Sequence, residues 1–325
     1  MAALIERYRE RLPVTDATPV VSLGEGATPL LRAPRISRRL GVELHLKCEG
    51  ANPTGSFKDR GMTVALSRAL ESGARTVICA STGNTAASAA AYAARAGLVA
   101  VVLQPEGAVA SGKLAQARAL GARVLEVRGS FDEALFAARA LADRGTHVLV
   151  NSLNPDRLEG QKTAAFEIVE ELAAPPDVVA LPYGGGGNLT AYARGFAETG
   201  GVPRLVAGEA AERATTVASA IRIGAPAHAA AVAEALEVSE GVVVSLTDEA
   251  ILRAWRELAR EEGVFCEPSS AAGLAALEVA DLEPGSIVVS VVTGHGLKDP
   301  ESASRLSPEP IAVDPDPDAI EAASR

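Results

Sequence analysis

Short apolar runs rich in Val, Ile and Leu alternate with helix-patterned runs along most of the chain, and this alternation restricts the fold more than any other feature. Residues 76–79, 99–103, 123–127, 147–150, 177–181, 204–208 and 286–292 read as strands. Residues 85–95, 113–120, 131–143, 163–172, 189–198 and 248–262 read as helices. Strands that alternate with helices pack as a mostly parallel sheet covered on both faces, an α/β architecture. With 325 residues there is room for one large or two medium domains. The Gly/Pro-rich stretch 50–55 and the region 145–154, where a strand runs into a polar loop, are the candidate hinges, and the Pro- and acid-rich tail 307–318 reads as irregular and surface-lying.

Composition excludes several functions. Aromatic residues make up only 3% of the chain, too few for the stacking platforms of single-strand nucleic-acid binding. The net charge of −10 argues against a nucleic-acid or anionic-membrane partner, although a local site can still attract an anionic small molecule. Cys48, Cys79 and Cys266 are far apart and form no CxxC pair, which fits buried thiols in a reducing cytoplasm. The N-terminal segment has no apolar signal-peptide core, and no run of about 18 apolar residues predicts a transmembrane helix. The four histidines, 45, 147, 228 and 295, lack metal-ligand spacing, and there is no G-x-S-x-G elbow.

Several segments carry candidate chemistry. In KCEGANPTGSFKDRG (47–61), Lys58 follows a Gly/Pro-rich turn and Phe57. A partly buried lysine at a helix start has a lowered pKa, as a catalytic amine needs; the plain alternative is a solvated lysine beside Asp59 and Arg60. In ASTGNT (80–85), Ser81, Thr82, Asn84 and Thr85 stand between a strand and a helix, as a polar-ligand site or a simple N-cap. In LPYGGGGNLT (181–190), Gly184, Gly185, Gly186, Gly187 and Asn188 form a strand-to-helix loop suited to cradling a phosphate. It is not a dinucleotide fingerprint, because Leu189 stands where glycine would be required. In NSLNPDRLEGQKT (151–163), Asn151, Ser152 and Arg157 can bind a phosphate or carboxylate, or form only a turn and cap. GAVASGKL (107–114) nearly fits a P-loop, but Leu114 replaces the Mg²⁺-binding hydroxyl, so Lys113 reads as solvent-facing or as an ordinary helix start. In VTGHGLKDP (292–300), Thr293 ends an apolar strand, while His295 stays unassigned. Glu261 and Glu262 read as a solvated helix end.

Together these segments resemble the fold-type II pyridoxal-phosphate enzymes, and among them the short threonine synthases, in order from GEGATPL (24–30) to TGHGLKDP. The resemblance implies two parallel-sheet domains of the tryptophan synthase β-like architecture. The larger would combine residues 1–51 and 146–325, and the smaller, mobile one would span 52–145. It implies pyridoxal 5′-phosphate as cofactor, carried by Lys58 as a Schiff base beside Phe57. Asn84 matches the partner of the cofactor's 3-hydroxyl, residues 184–188 the phosphate loop, and Thr293 the hydroxyl facing the ring nitrogen. Ser81, Thr82, Asn84 and Thr85 match the grip on the substrate carboxylate. Asn151, Ser152 and Arg157 match positions that bind a substrate phosphate, which favours O-phosphohomoserine. The alternative within the fold is a threonine or serine dehydratase, or a phosphoserine-using synthase. Gly185 departs from the G-N-A-G-N loop of many short threonine synthases and puts substrate preference, not cofactor binding, in question. The expected form is a cytoplasmic homodimer.

Overall fold

A computed structural model describes residues 2–107 and 112–324. The strands among them are β1 (Leu30–Arg32), β2 (Glu43–Cys48), β3 (Thr76–Ala80), β4 (Val99–Pro105), β5 (Arg123–Val127), β6 (Val148–Leu149), β7 (Val178–Pro182), β8 (Arg204–Ala210), β9 (Val242–Leu246) and β10 (Ile287–Val292). They form two sheets. The larger has the order β1-β2-β10-β7-β8-β9, and the smaller β5-β4-β3-β6. Every pairing is parallel except that of the short edge strand β1 with β2. The α/β, two-sheet expectation therefore holds.

Side-chain alternation explains why both faces of each sheet are covered. In β7, Val178 and Ala180 join one core with Leu44, Val206, Val288 and Trp255. Val179 and Leu181 point the other way, into a second core with Ile168, Tyr192 and Phe196. The smaller sheet repeats the arrangement. Val77, Cys79 and Val102 meet Met62, Leu66 and Tyr92 on one side, whereas Ile78, Ala80, Val101 and Leu103 meet Ala134 and Ala138 on the other. The helix Asn84–Ala96 buries alanines 86, 87, 89, 90, 91 and 93, so its short side chains let it pack closely in the smaller layer.

Three details depart from the sequence reading. β6 pairs with β3, so the smaller sheet extends to residue 149, one strand beyond the boundary expected at 145. Strands β1, β2 and β9 were not anticipated; in β2 the polar Glu43, His45 and Lys47 interrupt the apolar signal, and buried partners accommodate Lys47. Glu262 is not simply solvated, because its Oε1 accepts the N–H groups of Arg35 and Ile36 at the start of the helix Pro34–Leu40. Part of the segment 107–114 lies outside the described residues.

Candidate active site

The candidate residues collect where parallel strands end and loops begin, the usual position for function in α/β sheets. Asn84 follows β3, Arg157 follows β6, the glycine loop follows β7, and Thr293 follows β10. Backbone pairing brings Lys58 to the same place. Phe57 N–H donates to the Thr293 carbonyl at 3.0 Å, and His295 N–H donates to that of Gly55 at 2.9 Å. The Lys58 helix, Lys58–Glu71, thus starts directly beside the end of β10. The approach is close: a Cβ on Gly50 would lie 2.7 Å from the His295 nitrogen.

Lys58 retains some open surface at the head of this helix, with its Nζ 4.2 Å from the Phe57 ring centroid. Desolvation, reinforced by the positive charges of Arg157 and Lys113 and opposed by Glu267, lowers its pKa to about 7. The solvated-lysine alternative is not realised, since its neighbours point elsewhere. Asp59 accepts from Thr54 and Ser88, and Arg60 binds Glu49 and Glu167.

The turn before Asn84 is not a simple N-cap: Gly83 occupies the cap position, and no side chain bonds into the helix end. Ser81 Oγ accepts from Gly83 N–H, and Thr85 is half-buried at the helix start beside Asn84. Thr82 is half-buried in the same turn. Asn84 Nδ2 donates to Glu267 Oε1 at 2.8 Å, while its buried Oδ1 has no partner.

Arg157 is fully buried. Its Nη1 donates to the Val150 carbonyl at 2.8 Å, but Nε and Nη2 have no hydrogen-bond partner. Desolvation lowers its pKa to about 10, opposed by Cys79 and Asp59, so it remains a cation at neutral pH. Asn154 caps the helix Pro155–Leu172 that carries Arg157. Asn151 engages both amide atoms with Ala80, accepting from its N–H at 3.0 Å and donating to its carbonyl at 2.9 Å. It therefore holds the start of the 80–85 turn, with one Nδ2 hydrogen committed to that bond. Ser152 is half-buried, and its carbonyl accepts from His228 Nε2.

The glycine loop ends at Gly186, whose φ of +87° favours glycine and where a Cβ would lie 2.7 Å from Val232. The helix Gly187–Glu198 begins immediately after it, so the N–H groups of its first turn point out of the helix end. Both amide atoms of buried Asn188 lack partners. Thr293 Oγ1 lies 2.9 Å from Ser270 Oγ.

These features fit the phosphate, hydroxyl and ring of a pyridoxal phosphate. A helix N-terminus behind a glycine loop suits the phosphate. The orphaned amide atoms of Asn84 and Asn188 are polar groups that a bound ligand would satisfy. The lowered pKa of Lys58 leaves a reactive neutral amine near pH 7.

The sequence reading missed three contributors. Glu267 and Ser270 sit in the segment EPSS and contact Asn84 and Thr293, but neither lies in a recognisable motif. His228 links the glycine loop to the 151–157 segment: its N–H donates to the Gly185 carbonyl and its ring to that of Ser152. Lys113 does stand at a helix start, in Gly112–Ala119, but it does not face solvent: it is buried and pairs with Glu267 Oε2 at 2.7 Å, a carboxylate brought to it by the distant segment EPSS. His295 serves locally, as its Nδ1 accepts from Leu297 N–H and its ring packs on Phe265.

A family profile described as "Pyridoxal-phosphate dependent enzyme" matches residues 21–294. A threonine synthase of Halalkalibacterium halodurans is 49% identical across 98% of this chain and 96% of its own length. One from Synechocystis sp. is 51% identical across 97% of this chain and 88% of its own. Among solved structures, maize serine racemase superposes with a TM-score of 0.76 over 91% of this chain and 94% of its own, at 23% identity, a likeness of fold. The chain belongs to the pyridoxal-phosphate-dependent enzymes and, within them, to the threonine synthase family.

Proposed function

We propose that this chain is a threonine synthase, converting O-phospho-L-homoserine and water to L-threonine and phosphate with pyridoxal phosphate as cofactor. The observation that carries the substrate choice is Arg157. It is a buried cation with two unpaired nitrogens, carried by the helix Pro155–Leu172 rather than by the glycine loop that suits the cofactor's phosphate. An unpaired buried guanidinium is costly, and a substrate phosphate would pair it in a forked geometry. A dehydratase acting on plain serine or threonine needs no second phosphate site.

When bound, the cofactor supplies an electron sink that stabilises negative charge on the amino acid's carbons. The Gly184, Gly185, Gly186, Gly187 and Asn188 loop would hold its phosphate, Asn84 its 3-hydroxyl side and Thr293 its ring nitrogen. Lys58 would carry it, and the free Nζ would take protons from the substrate's Cα and Cβ and return them. A pKa of about 7 lets one group serve as both base and acid at neutral pH. Ser81, Thr82, Asn84 and Thr85 orient the substrate carboxylate, while Arg157 and Ser152 orient its phosphate for departure from Cγ. Water then adds at Cβ. Gly185 leaves room where related loops carry Asn: a Cβ there would meet only Ile223 Cδ1, at 3.5 Å.

Residues 81–85 ride on the smaller sheet, so closure of that unit over the substrate would exclude water. Small-angle scattering with and without a substrate analogue tests the closure; unchanged profiles refute it. The three cysteines are free, in keeping with a reducing cytoplasm, and a homodimer is the expected assembly, to be checked by sedimentation. Among the described residues no helix is long and apolar enough to cross a membrane. The decisive assay is incubation with O-phosphohomoserine, following phosphate and threonine together. Equal release of both is expected; 2-oxobutanoate from threonine without that release would assign a dehydratase instead.

A further inference from the structure

His228 is half-buried just before the helix Ala229–Val238, on the connection that leaves β8. It makes two hydrogen bonds, to two separate segments. Its backbone N–H donates to the Gly185 carbonyl at 3.1 Å, and its ring Nε2 lies 3.0 Å from the Ser152 carbonyl oxygen. A carbonyl can only accept, so Nε2 carries the proton in this contact. The side chain also lines the glycine loop: a Cβ on Gly186 would lie 3.1 Å from His228 Cβ, and one on Gly187 3.4 Å from its Cδ2. Arg213, on the same connection, donates from Nη1 to the Gly184 carbonyl at 3.3 Å. In a trans peptide the C=O and the next N–H point in opposite directions. These two ties therefore turn the N–H groups of Gly185 and Gly186 away from His228 and Arg213.

The segment after β6 is pinned on either side of Ser152. Asn151 is tied to Ala80 by both amide atoms, and Asn154 Nδ2 donates to the Leu149 carbonyl at 2.9 Å. Both of these ties run to strands of the smaller sheet. The His228 ring gives Ser152 its link to the larger one, at the glycine loop. We infer that His228 is a positioning residue for the substrate's phosphate: its ring N–H holds Ser152, and with it the Arg157 segment, at a set place beside the cofactor's phosphate loop. The inference rests on the reading of Ser152 and Arg157 as the substrate-phosphate site. One residue divides the work, since a side-chain substitution removes the ring bond and leaves the backbone bond to Gly185 in place.

The test is steady-state kinetics of the cofactor-loaded enzyme with O-phospho-L-homoserine. His228→Asn is the main variant. His228 holds the cap position of Ala229–Val238 without a side-chain cap bond, and Asn is a favoured cap, so the melting temperature should hold or rise. The Asn amide stands where Nδ1 does, too short to reach Ser152. KM should rise about fivefold, the effect of one neutral hydrogen bond, while kcat and cofactor dissociation stay within about twofold. His228→Gln, whose amide nitrogen can stand where Nε2 does, should return the KM of the parent. Packing alone would not separate Gln from Asn. Equal KM values for those two variants overturn the inference, as does a change in cofactor dissociation as large as that in KM. An unchanged KM in His228→Asn, with that of Arg157→Leu raised, overturns the role of His228 and leaves the substrate-phosphate site standing. An unchanged KM in Arg157→Leu overturns the underlying reading and the inference with it. Should His228→Asn fail to fold, His228→Leu, similar in bulk but without a donor, takes its place against His228→Gln. A higher KM for Leu than for Gln supports the role, and equal values refute it.

Discussion

Two arginines, Arg60 and Arg157, are fully buried near the start of the Lys58 helix, and they are treated in opposite ways. Arg60 sits among carboxylates: Nε and Nη2 bind Glu49, Nη1 and Nη2 bind Glu167, and Thr28 and Thr163 complete the set. Lys47 joins from β2, 3.0 Å from Glu167 Oε2. In these surroundings the Arg60 pKa rises well above its ordinary value and that of Glu167 falls to about 2. Arg157 has one carbonyl and two idle nitrogens, and its pKa falls. Lys58, near Arg157, is lowered as well. Buried charge with every donor matched holds a fold together; buried charge left unmatched awaits a ligand. One helix carries both kinds: Arg60 sits in the ionic network, while the Lys58 amine lies over the Phe57 ring with no carboxylate paired to it.

The contrast can be broken at several points. Replacing Lys58 with Ala should lower turnover by at least about a thousandfold, because it removes both the attachment point and the proton carrier. The visible absorbance of lysine-bound cofactor should vanish while circular dichroism stays native; a variant that keeps that absorbance would sink the assignment. Arg60→Met strands Glu49 without its cation and leaves Glu167 only Lys47, so chemical denaturation should register a loss of roughly 3–5 kcal/mol. A loss under about 1 kcal/mol would mean that the network is not structural. Arg157→Leu should do the reverse. It removes an unsatisfied charge, so stability should hold or rise, whereas KM for O-phosphohomoserine should climb about a hundredfold, as for a lost charge-assisted pair. Inorganic phosphate should raise the melting temperature of the parent but not of this variant. Equal KM values would remove Arg157 from the substrate site.

A pH slope tests the same contrast without substrate. The Lys58 amine titrates near pH 7 in the fold against 10.5 in the unfolded chain. Between those values the unfolded chain holds the extra proton, so stability of the cofactor-stripped enzyme should rise with pH through this window. Below pH 7 the cost of burying the cation is fully present. Lys58→Met should flatten the slope over that range, and a slope unchanged by the mutation would show that the lysine is not desolvated.

Much of the fold was legible in the sequence. Helices 131–143 and 248–262 and strand 123–127 were read to the residue, because their periodicity is unbroken and their ends are marked by turn residues. β2 is not, since it alternates polar and apolar residues where the other central strands are continuous apolar runs, and only distant carboxylates make burial of Lys47 tolerable. Of the site, Lys58, Asn84, Thr293 and the glycine loop stood out because they lie in compact local motifs. Glu267, Ser270, His228 and the true setting of Lys113 did not, because each acts on a residue far away in the chain.

The sequence by itself determined the alternating α/β plan, the glycine-rich loop at a helix start and the placing of Lys58 after a tight turn, since periodicity and local backbone preference act over a few residues. Only the tertiary structure decided which buried charges are matched and which are idle. That depends on partners brought together from separate strands and loops, and the burial that makes those partners matter exists only once the two sheets have packed.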